Sequence, residues 1–260
     1  MPINDDAIVL RTTDFSETSM VVTFFTRENG KIPCLAKGAR RLKNPFDTAF
    51  DAMNECKILF YPKRGETLQL VTEARLTQRF RVQSDTAIYA GFHVVDLLNH
   101  FCENFHAQNE LFDLTQNVLN DIVSLEAECR RHPIWEPPRS LSRCLFHYEM
   151  SLLEALGTGP ALRHCAECGA AVDSRNRRRA AFALLDGGVL CSNCRPGRTR
   201  VVSISIEALR VMQKLADPNP MYWRRLPIRD DILSEVRNVW NQYLSHQLER
   251  PAPVLRWLKR

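Results

Sequence analysis

The chain has 260 residues and a mass of 29.9 kDa, more than one ordinary domain requires, so two or three units are expected. It is 45% hydrophobic and 25% charged with a formal net charge of +5, a globular composition that excludes global disorder. No apolar run approaches the roughly 20 residues of a membrane span, and Met1–Asp6 lacks the basic-then-apolar layout of a signal peptide, so a soluble, cytoplasmic protein without a membrane partner is expected.

The first eighty residues read as strands. Ala7–Arg11, Ser19–Thr26, Lys31–Ala36, Cys56–Tyr61 and Leu68–Arg75 are rich in β-branched and aromatic residues, with an Asn29-Gly30 hairpin turn and a Pro62-Lys-Arg-Gly65 turn between them. Five short strands fit a small barrel or sandwich, most economically an OB-fold, and the strand count also allows an SH3-like barrel. After Arg81 the period changes from two to about 3.6. Ser84 stands as a helix N-cap ahead of Ile88, Gly91, Val95, Leu98 and Phe101. A second stripe is Leu111, Leu114, Val118, Ile122 and Leu125, and a third, after a Pro137-Pro138 break, is Leu141, Leu145, Tyr148, Leu152 and Leu156, stopping at Gly157. Helical patterning resumes at Ser205 and again from Arg229. The expected class is therefore α+β. A five-stranded OB-fold barrel occupies 1–80, a mostly α-helical domain 81–157 and 201–260 with a C-terminal tail, and residues 158–200 form an insertion of different character.

That insertion carries the most specific signal. Cys165-Ala-Glu-Cys168 and Cys191-Ser-Asn-Cys194 are two Cys-x-x-Cys pairs separated by 22 residues. Each can turn two sulfurs to one point, and together they supply the four thiolates of a structural, tetrahedral zinc site. The spacing suits a zinc ribbon with strands Ala180–Leu185 and Val189–Leu190 around Asp186-Gly187-Gly188. A thioredoxin-like pair would want one motif on a βαβ unit, and a zinc deaminase needs proline before its Cys-x-x-Cys. His164 reads as an exposed neighbour and not as a ligand. The remaining Cys34, Cys56, Cys102, Cys129 and Cys144 read as buried thiols. Phosphate-loop, dinucleotide, zinc-protease and nucleophile-elbow motifs do not occur in the sequence, and no enzyme is expected.

Charge is uneven: residues 81–130 carry −6, while 158–200 carry +5 and 201–260 carry +4. Lys31–Lys43 holds five cations (Lys31, Lys37, Arg40, Arg41, Lys43) and no carboxylate. Lysine and arginine near a barrel with stacking aromatics suit single-stranded nucleic acid, and Phe24 and Phe25, on opposite faces of one strand, offer one ring for stacking or two for the core. Arg175-Asn-Arg-Arg-Arg179 is a second cluster, so that Arg175, Arg177, Arg178 and Arg179 are further candidates for phosphate contact.

These pieces together resemble one family, the bacterial recombination mediators named RecO. The resemblance rests on Ala7-Ile-Val-Leu-Arg11 with Asp14-Phe-Ser-Glu17, on Phe25-Thr26 and Gly30, and on Ala36-Lys-Gly-Ala-Arg-Arg41. Downstream it rests on Leu152–Gly157, Pro160-x-Leu-x-x-Cys-x-x-Cys-Gly169, and Gly187-Gly188 before Cys191-x-x-Cys194. It implies an OB-fold, a helical domain and an inserted zinc ribbon holding one structural Zn2+. It also implies binding of single- and double-stranded DNA, annealing of complementary strands without a nucleotide, and loading of RecA at gaps together with RecR and the C-terminal tail of single-strand-binding protein, in a nucleoid-associated setting. Lys37, Arg40 and Arg41 match the family's basic loop, with Lys43, Arg11 and Lys31 as looser DNA-binding choices. Where many relatives carry Lys-Ser after the last helix, this chain has Arg250-Pro-Ala-Pro253. The alternative is a zinc-ribbon scaffold that docks repair proteins and touches nucleic acid only incidentally.

Overall fold

The computed structural model describes every residue except 42–43, 45, 47, 64, 66, 132–136, 173–177, 218 and 252–260. Two compact units divide the chain, Met1–Trp135 and Glu136–Arg260. In the first, β1 (Ile3–Asp14), β2 (Met20–Thr26), β3 (Gly30–Ala36), β4 (Glu55–Tyr61) and β5 (Gln69–Gln78) close a barrel in the order β1-β2-β3-β5-β4. All neighbours are antiparallel except β3 and β5, whose parallel pairing runs from Cys34 opposite Gln69 to Ala36 opposite Val71. This is the OB-like barrel expected from the strand pattern. Alternation fills it: Ala7, Val9, Val22, Phe24, Ile32, Cys34, Ile58 and Phe60 point into one core. Phe46 and Phe50 of the β3–β4 loop complete that core, with their rings 4.7 Å apart.

A bulge between Val9 and Arg11 shifts the register of β1 on β2. Ala7–Leu10 are buried on both faces, and after the bulge Arg11–Asp14 emerge into solvent. The β2–β3 hairpin is held from both sides. The buried Asp5 carboxylate accepts hydrogen bonds from the Glu28 amide (3.2 Å) and from Asn29 Nδ2 (2.7 Å). Gly30, at φ +68°, lies so close to the loop carrying His106 that a Cβ there would meet the His106 carbonyl oxygen at 2.0 Å.

α1 (Asp85–Phe101) and α2 (Asn109–Arg131) belong to this first unit. Ser84 caps α1 through the Ala87 amide, as its position suggests. Gly91 lets α1 approach the barrel: a Cβ there would lie 2.2 Å from Met53 Sδ and 2.8 Å from the Phe80 ring. Glu126 of α2 accepts the Gln83 and Ser84 amides at 2.7 and 2.5 Å, tying α2 to the start of α1.

The second unit holds α3 (Pro137–Ala155), a three-stranded sheet and α4 (Ile206–Leu215), α5 (Pro220–Arg225) and α6 (Asp230–Gln247). Pro137 and Pro138 form the first turn of α3 and do not precede it, because helix N-termini tolerate a missing amide hydrogen. α3 ends as the glycine predicts: Gly157 takes φ +73° and the Thr158 amide reaches back to Leu153 O at 2.8 Å. The ribbon strands β6 (Arg179–Ala183) and β7 (Gly188–Leu190) match the expected hairpin. A third strand, β8 (Val201–Ser205), pairs on the other side of β6 at the start of the span expected to be helical, and the helix follows from its Ser205 cap. Among the described residues, no helix is long and apolar enough to cross a membrane.

Candidate metal centre and nucleic-acid interface

The sulfurs of Cys165, Cys168, Cys191 and Cys194 lie within 4.8 Å of one another. Four thiolates at tetrahedral zinc, each about 2.3 Å from the metal, stand about 3.8 Å apart, and Cys168 Sγ and Cys191 Sγ are 3.8 Å apart. Each pair is shaped by its own turn. The Gly169 amide bonds to Cys165 O at 2.9 Å with Gly169 at φ +70°, and the Arg195 amide bonds to Cys191 O at 3.1 Å. Burial alone would raise the Cys165 thiol, but the backbone amides of Cys168, Cys191 and Glu167 point at its sulfur and bring it down to about 6. Cys194 moves the other way, to about 12, through hydrogen bonds with Cys191 and Cys168. Four sulfurs this close cannot all be anionic without a cation among them, so the donor set fits a divalent soft metal held by all four.

The surroundings show why the ribbon needs such a staple. On the cysteine side of its sheet the buried cluster is Cys165, Ala181, Ala183 and Leu190, a small apolar volume that a bound metal would staple. Arg198 links the first knuckle to the hairpin turn through Glu167 (2.6 Å) and Asp186 (2.7 Å). The two turn glycines have separate reasons: Gly187 adopts φ +69°, and Gly188 lies where a Cβ would be 2.3 Å from Ala161 O. His164 is exposed and lies outside the four-cysteine group, as expected. Cys34, Cys56, Cys102, Cys129 and Cys144 are all buried. Desolvation pushes Cys34 and Cys56 up to about 12, so they are inert as nucleophiles.

The cations of the basic loop occupy three different environments. Lys37 and Arg41 are exposed, and neither has an ion-pair partner among the described residues. The loop turns between them through Gly38 at φ +76°, closed by the Arg41 amide on Gly38 O at 3.0 Å. Arg40 is engaged: Nη2 lies 3.3 Å from Asp14 Oδ2, Nη1 donates to Ser16 O at 3.0 Å, and its amide donates to Thr18 O at 3.1 Å. It buckles the loop to the β1–β2 turn. Lys31 is half-buried, with Nζ donating to Asn99 O at 2.7 Å in the last turn of α1. Desolvation lowers its pKa, and its charge faces a helix C-terminus. Arg11 is exposed opposite Thr23. Lys43 lies outside the described residues.

In the second cluster Arg175 and Arg177 also lie outside the described residues. Arg178 is exposed. Arg179 is committed within the fold: Nη2 reaches Glu235 Oε1 and Ser203 O, both at 2.9 Å, and Nε reaches Ser203 Oγ at 2.7 Å. Neither Phe24 nor Phe25 is available for stacking, since both are 0% exposed. Phe24 packs on Phe50 inside the barrel, and Phe25 stacks on Phe112 of α2 with centroids 6.1 Å apart. The alternation that separates their faces was legible in the sequence, and of its two readings the structure takes the one that buries both rings, one in the barrel and one against a helix.

Comparison with known proteins agrees with this architecture. Residues 1–80 match the family described as recombination protein O N terminal, and residues 85–256 match recombination protein O C terminal. A DNA repair protein RecO of Rhodopirellula baltica is 38% identical over 81% of this chain and 73% of that protein. Proteins of the same name from Myxococcus xanthus and Salinibacter ruber are 27% and 28% identical, over 95% and 96% of this chain and 93% and 90% of theirs. Barrel, cysteine cluster and matched residues together span both units, and the chain belongs to the RecO family of DNA repair proteins.

Proposed function

We propose that the chain is a non-enzymatic recombination mediator that binds single- and double-stranded DNA and anneals complementary strands. The observation that carries this reading is the exposure of Lys37 and Arg41, with no ion-pair partner among the described residues, on the loop leaving β3 of an OB-like barrel. Arg11 and Lys43 extend the same set in sequence, and Arg178 with Arg175 and Arg177 supplies cations on the ribbon. Phosphate neutralisation by these side chains removes the repulsion between two strands and brings their bases within reach of each other.

Cys165, Cys168, Cys191 and Cys194 would hold one Zn2+, which supplies cross-linking and no reaction step. The family assignment supports RecR, the acidic tail of single-strand-binding protein and, indirectly, RecA as partners, in the cytoplasm near the nucleoid. The deciding experiment is annealing of complementary oligonucleotides by the full chain without nucleotide, across a salt series. Acceleration that fades with salt and collapses in a Lys37→Gln/Arg41→Gln variant is expected. Annealing that survives this variant would favour a protein-docking scaffold instead.

A further inference from the structure

We propose that Phe15 is the base-stacking residue of the barrel, and that its ligand is an unpaired nucleobase of a single strand. This rests on the nucleic-acid reading above and adds the contact that separates single strands from duplex. Phe15 is 61% exposed, more than Tyr61, Phe92 or Phe105, the other exposed Phe and Tyr side chains among the described residues. An exposed ring on a loose loop would mean little, but this one is fixed at its base. The Phe15 and Ser16 amides both donate to Ser19 O at 3.1 Å, and the Ser19 amide donates to Ser16 Oγ at 3.2 Å. Arg40 then clamps the same turn through Asp14, Ser16 O and Thr18 O. A ring held on a rigid turn loses little freedom when a base lies on it.

The strand register gives the ring its neighbours. Side chains directly opposite across antiparallel strands share a face. On the outward face of β1-β2-β3 one row is Arg11–Thr23–Pro33 and the next is Thr13–Val21–Leu35. The last paired row, Asp14–Met20–Ala36, belongs to the opposite face; Phe15 bonds to Ser19 across the turn, and the same register continued one step past the strand ends assigns Lys37 to their row. The outward face thus runs from a cation at Arg11, over neutral side chains (Thr23, Pro33, Val21 and Leu35 half-buried, Thr13 exposed), towards the turn of Phe15 and the loop of Lys37. Alternating charge for phosphates and a flat apolar surface for a base is the pattern that single strands require and that a duplex, with its bases paired and stacked, cannot use.

The test is binding of the full chain to a fluorescent oligo-dT, to an abasic strand of equal length, and to a duplex, each by anisotropy. Phe15→Ala should weaken oligo-dT binding about tenfold, the usual scale for one base–aromatic stack, and leave the abasic strand and the duplex unchanged. Phe15→Trp should restore oligo-dT binding, whereas Phe15→Leu, apolar but not flat, should not. Equal losses on all three ligands would show that Phe15 only shapes the turn, and unchanged oligo-dT binding would show that it does nothing; either overturns the proposal while the DNA reading stands. Failure of the wild-type chain to bind any strand would remove both.

Discussion

Arg237 of α6 and Glu149 of α3 form an ion pair inside the second unit, Nη1 to Oε2 at 2.6 Å, with side chains 8% and 0% exposed. The same Glu149 oxygen accepts Trp240 Nε1 at 2.7 Å, and Arg237 Nε donates to Ser142 Oγ at 2.8 Å. Removing one member leaves a buried charge uncompensated, so Glu149→Ala should cost about 3–5 kcal/mol of stability. Glu149→Leu combined with Arg237→Met should recover most of that loss, since neither charge then remains in the core. Denaturant unfolding followed by far-UV circular dichroism measures both, and equal losses in the single and double variants would contradict the account.

Gly30 and Gly65 share a left-handed backbone, at φ +68° and +75°, but differ in surroundings. A Cβ at Gly65 meets nothing within 4 Å, so Gly65→Ala should cost about 1 kcal/mol from φ alone. At Gly30 the His106 backbone must move as well, so Gly30→Ala should cost more than about 2 kcal/mol. Thermal melts should rank the two variants in that order, and similar melting temperatures for both would mean that the hairpin is not pressed against the His106 loop.

The contrast shows what a sequence can and cannot report. Asn29-Gly30 was legible as a hairpin turn because the turn geometry is local. That the glycine also admits the His106 carbonyl depends on a contact 76 positions away in the chain. The two cysteine pairs were legible for the same reason as the hairpin, since each knuckle is a self-contained turn. β8 was not, because Val201–Ser205 is short, ends in the N-cap of α4 and finds its partner β6 across the metal-binding loop. The basic loop was legible as charge but not as three environments: the carboxylate that neutralises Arg40 and the helix end that receives Lys31 come from other elements.

Glu235 gives the second unit a defined acid sensitivity. Burial would raise its pKa, but the Ser205 hydroxyl and amide, at 2.5 and 2.9 Å, and Arg179 together hold it below the usual 4.5. A carboxyl depressed on folding stabilises above its unfolded pKa, and that contribution fades as pH falls through the folded value. Stability lost between about pH 5 and pH 3 should therefore be smaller in Glu235→Gln, which already lacks the charge at neutral pH. Glu55 has the opposite sign, because desolvation raises it and its ionised form opposes folding at neutral pH. Parallel stability–pH curves for wild type and Glu235→Gln would refute the assignment.

The four-cysteine cluster should bind one equivalent of Zn2+, with X-ray absorption showing four sulfur neighbours at about 2.3 Å. Cys165→Ser removes the only buried cysteine of the four and its amide–sulfur bonds, so it should lose metal more completely than Cys168→Ser, which changes the exposed cysteine of the same knuckle. Chelation should open residues 160–200 to proteolysis while the barrel stays protected. A ribbon that remains resistant without metal would mean that its packing on α6, through Phe182 and Tyr243 at 5.7 Å, suffices to hold it.

Lys37, Arg40 and Arg41 look equivalent in sequence, and the structure separates them. On the proposed reading, Lys37 and Arg41 each release counterions on binding, so each change to glutamine should flatten the log–log salt slope for single strands by about 0.7. Phosphate contacts carry no information about pairing, so both variants should weaken single- and double-stranded binding alike. Arg40 brings its own counter-charge in Asp14, and Arg40→Gln should leave the salt slope nearly unchanged. Its loss frees Ser16 O and Asp14, while the backbone amide keeps its bond to Thr18 O, and so loosens the turn bearing Phe15; its penalty should fall on single strands and spare duplex. Salt titrations of the three variants on both ligands decide it: three identical slopes would mean that the Asp14–Arg40 pair does not persist in solution and that the loop acts as a uniform patch of charge.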